Sequence, residues 1–151
     1  MAGPALTRSV LKSVARDPNK KDLYLTSDIS GNMWVGLDKN PPESHWDVYA
    51  GPKKGLYYFV HAVGVHDGTL WALTYGDTTY KVSLSPFDPE AGPTPIQLWN
   101  VFGMGNPYLI YPMLRTDVLN PQGPYYRAGT RVIVWKWDHN PNSQWHIIPV
   151  A

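Results

Sequence analysis

The sequence predicts an all-β fold, and three observations carry the prediction. The 13 glycines and 15 prolines among 151 residues interrupt the chain too often for long helices. Between these breakers lie short runs rich in Val, Ile, Tyr, Trp and Leu, the residues that fill strands. A tryptophan also recurs near the end of each third, in SHWDV (Trp46), QLWNV (Trp99) and SQWHI (Trp145). Each is followed by an apolar strand and a Gly or Pro turn, and about four strands fit each interval. Three copies of a four-stranded unit, each burying its apolar face only against the other two, are the plan of a β-trefoil. The expected organisation is one domain spanning residues 1–151, with repeats at about 1–53, 54–104 and 105–151 and the three tryptophans as equivalent core anchors.

The elements follow in order. Ala5–Val14 alternates polar and apolar residues, as a strand with one buried face does, and RDPNKK (16–21) breaks it. Leu23–Thr26, Met33–Leu37 and Trp46–Ala50 complete the first repeat. After the turn GPKKG (51–55) come Leu56–Val63, Leu70–Tyr75, Tyr80–Leu84 and Ile96–Phe102. The third repeat reads as Tyr108–Leu114, then either Val118–Asn120 or Tyr125–Arg127, then Arg131–Trp137 and Trp145–Val150.

Composition narrows the function. A formal charge of +1 gives no electrostatic reason to expect nucleic acid or an anionic membrane as partner, and favours neutral ones. The absence of cysteine excludes disulfides, thiolate metal sites and cysteine nucleophiles. Arg8, Lys12 and Arg16 with few acids imitate an organelle transit peptide, but the alternation in ALTRSVLKSV suits a first strand as well. No apolar stretch approaches the roughly 20 residues of a membrane-spanning helix. The expected location is the cytoplasm, without membrane insertion.

Catalytic and cofactor signatures are missing. His45, His61, His66, His139 and His146 show no metal-ligand spacing. Gly103-Met104-Gly105 is followed by no helix opening on Lys-Ser or Lys-Thr, so it is not a phosphate loop. No Gly-x-Ser-x-Gly elbow occurs. Asp88 and Glu90 are close in sequence, but a glycosidase needs a pair set in space. The expectation is a protein that is not an enzyme and uses no cofactor or metal.

The densest cluster of aromatic and polar residues is VWKWDHNPNSQWHI (134–147). If Val132 and Val134 enter the core, strand parity turns Trp135 and Trp137 outward. Trp135 is then either a rim residue covered by the Asn120–Ala128 loop or an exposed platform. A flat indole suits sugar recognition, because the C–H face of a pyranose stacks on it while polar side chains read the hydroxyls. Trp34 and Trp71 also turn outward by parity, with packing at repeat junctions as their other reading. Taking Val35 with Leu37 and Val82 with Leu84 as inward pairs, repeat one next offers Asp38 and repeat two Ser85, neither of them a stacking aromatic. Three residues before the closing tryptophan stand Glu43, Ile96 and Asn142. The third repeat alone has the equipment for a site.

The run GTRVIVWKWDHNPNSQW, Gly129–Trp145, resembles the last half of a ricin-B-type lectin repeat. It has a Gly-Thr turn, an apolar strand ending in an aromatic, an Asn-containing loop and a close like Gln-x-Trp. Repeat two carries that close literally as Gln97-Leu98-Trp99, whereas Ser44-His45-Trp46 and Ser143-Gln144-Trp145 depart from it. The likeness is nearest to the small cysteine-poor β-trefoil lectins of mushrooms, and the same fold includes fungal protease inhibitors. The resemblance implies a defence lectin for neutral glycans or glycoproteins of galactose or N-acetylgalactosamine type. It assigns Asp117 as hydroxyl acceptor and Asn142 as polar partner beside Trp135, with Asp138 and His139 as contributors. Asp and Asn also build turns, and that reading stays open for each. One site per chain would require a homodimer for cross-linking. The alternative partner is a protease, held by Lys53 and Lys54 in the Gly51–Gly55 turn between strands four and five, or by the 16–21 loop.

Overall fold

The computed structural model describes residues 7–28, 32–63, 68–76, 78–103, 105–137 and 139–150. Twelve strands run through the described residues. The first repeat holds β1 (Thr7–Arg16), β2 (Asp22–Ser27), β3 (Met33–Gly36) and β4 (Trp46–Ala50). The second holds β5 (Leu56–His61), β6 (Leu70–Tyr75), β7 (Val82–Phe87) and β8 (Trp99–Phe102). The third holds β9 (Leu109–Pro112), β10 (Val118–Pro121), β11 (Val132–Trp135) and β12 (Trp145–Pro149). The open alternative for the tenth strand is thus settled as Val118–Pro121.

Antiparallel pairing runs β1–β4–β5–β8–β9 and returns through β12 to β1. The seam between β9 and β12 is closed by reciprocal backbone bonds of Tyr108 and Trp145, at 2.7 and 2.8 Å. Six strands therefore make a barrel, and closure removes the edges that an open sheet would leave unpaired. The hairpins β2–β3, β6–β7 and β10–β11 cap one end. This is a β-trefoil.

Trp46, Trp99 and Trp145 are each 0% exposed. A buried indole N–H needs an acceptor, and each donates to a leucine carbonyl in the second strand of its own repeat: Leu25 (3.1 Å), Leu73 (3.0 Å) and Leu119 (2.8 Å). Those leucines pair with Val35, Leu84 and Val134. The common pattern fixes which residues of the three repeats are equivalent. Before each tryptophan lies a one-turn 3₁₀ helix, Pro42–Ser44, Pro95–Gln97 or Pro141–Ser143. Proline suits its first position because the N–H it lacks would have no helical partner there.

Several expected strand limits shift for local reasons. The eighth strand starts at Trp99 because Pro95–Gln97 is helical. The seventh runs Val82–Phe87 and the eleventh ends at Trp135. Leu37, expected to face inward, is 45% exposed because β3 stops at Gly36. The repeat-one residue equivalent to Trp135 is therefore Gly36, not Asp38, while Ser85 keeps that place in repeat two.

His61 is buried against Trp46, with ring centroids 4.8 Å apart. Its Nε2 lies 2.9 Å from the Glu43 carbonyl and must carry the proton, while Nδ1 has no partner among the described residues. Burial pushes the His61 pKa below its ordinary 6.5, and His146 is lowered by burial and by Lys12. The unfolded chain takes up protons near pH 6.5 that folded His61 resists, so stability is full above that pH and falls as the pH drops below it. The thermal midpoint should be lower at pH 5 than at pH 7.5. His61→Gln, which keeps an N–H donor for Glu43, should flatten that slope; an equal slope would place the effect elsewhere.

Candidate functional site

The third repeat is built differently from the other two at one place. Val132 and Val134 enter the core, as parity requires, and Trp135 stands 53% exposed at the end of β11. Ile133 is buried as well, because the Lys81–Ile133 bridge and the Val134 N–H to Tyr80 carbonyl bond (3.0 Å) bring the neighbouring hairpin against it. A long connection links β10 to β11, its base closed by the Gln122 N–H to Arg131 carbonyl bond of 2.8 Å. On it Tyr125 is exposed, while Tyr126 folds back onto the core.

Trp135 is a shared wall between two hollows. One, of about 260 Å³, is bounded by Asn120, Tyr126, Lys136, Asn140 and Ser143. The other, of about 460 Å³, is bounded by Tyr80, Gln122 and Ile133, and Asn120 and Gly123 line both. Aromatic faces alternate here with amide and hydroxyl groups, the composition that a small polar ring with apolar C–H faces fits.

Comparison with the other repeats shows why the space exists. Thr26, Thr74 and Asn120 occupy equivalent positions, and each bonds the carbonyl two residues earlier, at 3.0, 2.8 and 3.0 Å. Ser44, Gln97 and Ser143 are equivalent in the 3₁₀ helices. In repeat one Thr26 Oγ1 gives its hydrogen to the Tyr24 carbonyl and therefore accepts from Ser44 Oγ at 3.0 Å, with the Asp38 carbonyl also 3.0 Å from that Ser44 oxygen. In repeat two Thr74 lies 2.5 Å from Ser85, and Gln97 Nε2 donates to Ser85 Oγ at 2.9 Å and to the Pro86 carbonyl at 3.0 Å. These polar groups satisfy one another across the groove. In repeat three no hydrogen bond joins Asn120 to Ser143 among the described residues, and both face the smaller hollow.

Gly123 keeps that hollow's shape. A Cβ there would sit 2.7 Å from the Tyr126 hydroxyl and 3.0 Å from its ring carbon, closer than atoms can approach without displacement. Gly123→Ala should therefore shift the Tyr126 ring, with amide chemical-shift changes confined to the β10–β11 connection and Trp135; an unperturbed Tyr126 would show that the contact is not tight.

The sequence-derived site residues are only partly gathered. Trp135 lies at the centre. Asp117 lies beyond the Val118–Trp135 pair that ends the hairpin ladder, forms an ion pair with Arg115 and lines a separate shallow hollow with Leu114 and Thr116. Arg115 also bonds the Gly76 and Thr79 carbonyls, so this carboxylate belongs to a link between repeats. Asn142 uses its backbone N–H to hold the Asn140 side chain at 2.9 Å, and it is Asn140 that faces the hollow. His139 is exposed, takes a φ of 66° and packs its ring against Trp137 with centroids 4.5 Å apart. Asp138 lies outside the described residues. Asn120, Tyr126, Asn140 and Ser143 were missed; the equivalence of Thr26, Thr74 and Asn120, read from aligned hairpins, was the signal that could have found the first of them.

The lysine turn of the alternative reading is tightly closed. Gly51 N–H bonds the Leu56 carbonyl at 2.7 Å and Leu56 N–H bonds the Lys53 carbonyl at 3.1 Å. In the 16–21 loop, Asp17 Oδ1 accepts the Asn19 and Lys21 amides at 2.9 and 2.8 Å. Among the described residues no three His, Asp or Glu side chains gather as a metal site.

No protein-family model and no curated protein sequence matches the chain. Solved structures do. A designed threefold-symmetric protein, ThreeFoil, superposes with a TM-score of 0.70 at 18% identity, over 95% of this chain and 99% of its own. The BEL β-trefoil gives 0.70 at 13% identity, over 99% and 97%. SeviL, solved bound to asialo-GM1 saccharide, gives 0.66 at 11% identity, over 96% and 98%. At such identities the likeness concerns architecture, and with the barrel, the three capping hairpins and the three equivalent tryptophans it identifies the fold as a β-trefoil.

Proposed function

We propose that this chain is a glycan-binding protein without enzymatic activity, and that its site is the pair of hollows flanking Trp135 in the third repeat. The observation that carries the reading is the contrast between repeats: polar groups at equivalent positions pair with each other in repeats one and two, but line open space beside an exposed indole in repeat three. In this reading Trp135 stacks on the sugar's C–H face. Asn120 and Asn140 exchange hydrogen bonds with its hydroxyls, Ser143 adds a hydroxyl, and Tyr126 closes the side. Asn142 acts as a positioning residue through its amide, while Asp117, which lines a separate hollow, and His139, packed on Trp137, stand outside the two hollows. Support from outside the chain is the same architecture in SeviL, a protein solved with a bound saccharide.

Galactose or N-acetylgalactosamine type glycans are the proposed ligands, following the ricin-B resemblance of residues 129–145. There is one such site per chain, so agglutination of cells through it should require at least a dimer even where simple binding does not. A glycan array run beside serine, cysteine and aspartic protease assays tests the reading. Retention of galactosides with no protease inhibited supports it; inhibition without glycan retention overturns it in favour of the closed lysine turn.

A further inference from the structure

Another hollow lies away from Trp135, where the three hairpins meet. It encloses about 500 Å³. Its floor is Met33, Val82 and Val132, the first residues of β3, β7 and β11. The register makes these three equivalent, so the hollow sits on the pseudo-threefold axis. The residue before each strand forms the rim: Asn32, Lys81 and Arg131. The bridges Trp34–Arg131 and Lys81–Ile133, with the Val35 N–H to Thr130 carbonyl bond of 3.0 Å, tie this rim to paired backbone.

Two of the three rim positions are cations, both exposed, and no carboxylate lines the hollow among the described residues. Asp28, the acid next along the chain, turns one oxygen to the Asn32 amide at 3.3 Å. Because the whole chain carries a formal charge of only +1, this is a local concentration of positive charge. Two like charges set around one concave space favour a counter-charge between them, and a guanidinium offers paired donors that match an oxyanion. Half-buried Trp34 supplies a flat wall beside them.

We propose that this axial hollow binds a tetrahedral oxyanion, a sulfate or phosphate group, with Lys81 and Arg131 as its ligands and Trp34 packing on the ring that carries it. The site is separate from the one beside Trp135 and does not depend on it.

The test titrates the full chain at low ionic strength with a sulfated disaccharide, its desulfated counterpart and inorganic phosphate. It is repeated on the double variant Lys81→Met with Arg131→Met, whose exposed side chains leave the fold intact, as an unchanged thermal midpoint would verify. The sulfated disaccharide should bind at least tenfold more tightly than the desulfated one, and more weakly as salt rises. The double variant should lose at least tenfold. Amide shifts on binding should centre on residues 32–34, 81–83 and 129–132. Competition by inorganic phosphate would assign the free anion as a sufficient ligand, and its failure beside tight sulfated-sugar binding would assign a share to the ring on Trp34. No anion binding at low salt, or equal affinity in the double variant, would overturn the proposal.

Discussion

Trp99→Ala should lower the free energy of unfolding by about 3–5 kcal/mol, the usual cost of removing a fully buried large aromatic. Three losses combine. The indole is 0% exposed, so its removal leaves a cavity at the centre of the core. It meets Tyr75 edge-on with centroids 5.1 Å apart, and that contact disappears. The Leu73 carbonyl, which accepts its Nε1–H at 3.0 Å, is left buried without its donor. Trp99→Phe separates these terms in part, because it keeps an aromatic ring, removes the donor and leaves a smaller cavity, and should cost about 1–3 kcal/mol. Denaturant titration of both variants gives the values. The equivalent changes at Trp46 and Trp145 should behave alike, since their bonds to Leu25 and Leu119 repeat the same device. A loss below about 1 kcal/mol for Trp99→Ala, against the usual range, would mean that the tryptophans are not the anchors of the repeat.

Trp135→Ala should have the opposite profile. The side chain is half exposed at a strand end, so stability should change by only about 1–2 kcal/mol, well short of the loss at Trp99. Glycan affinity should fall at least about tenfold, or roughly 1.4 kcal/mol, because the stacking face is gone from both hollows at once. Immobilised-glycan binding beside a melting curve reads both effects. A variant that binds as well as the parent would remove Trp135 from the site, and one that unfolds would make it a packing residue.

The parts of this molecule legible in the sequence were those repeated three times. The tryptophans stand in near-equal contexts because each must fill the same volume and find the same kind of carbonyl, so their spacing gave the trefoil plan. Strand parity around Val132 and Val134 likewise placed Trp135 outward. What stayed hidden depends on register or on segments distant in sequence. The end of β3 at Gly36, opposite Tyr24, is set by where its pairing with β2 stops, which the apolar pattern running on to Leu37 does not show. The hollow beside Trp135 draws on β10, the β10–β11 connection and the last 3₁₀ helix together, and no local pattern joins those three. Asp117 was assigned by resemblance to the sugar, but Arg115, two residues earlier, takes its carboxylate.

The most direct test of a single third-repeat glycan site is calorimetric titration with lactose of the unmutated chain and of Trp135→Ala. One ligand per chain is expected for the first and no measurable binding for the second, with both proteins folded. A stoichiometry of two or three per chain, or an affinity unchanged by the substitution, would contradict it.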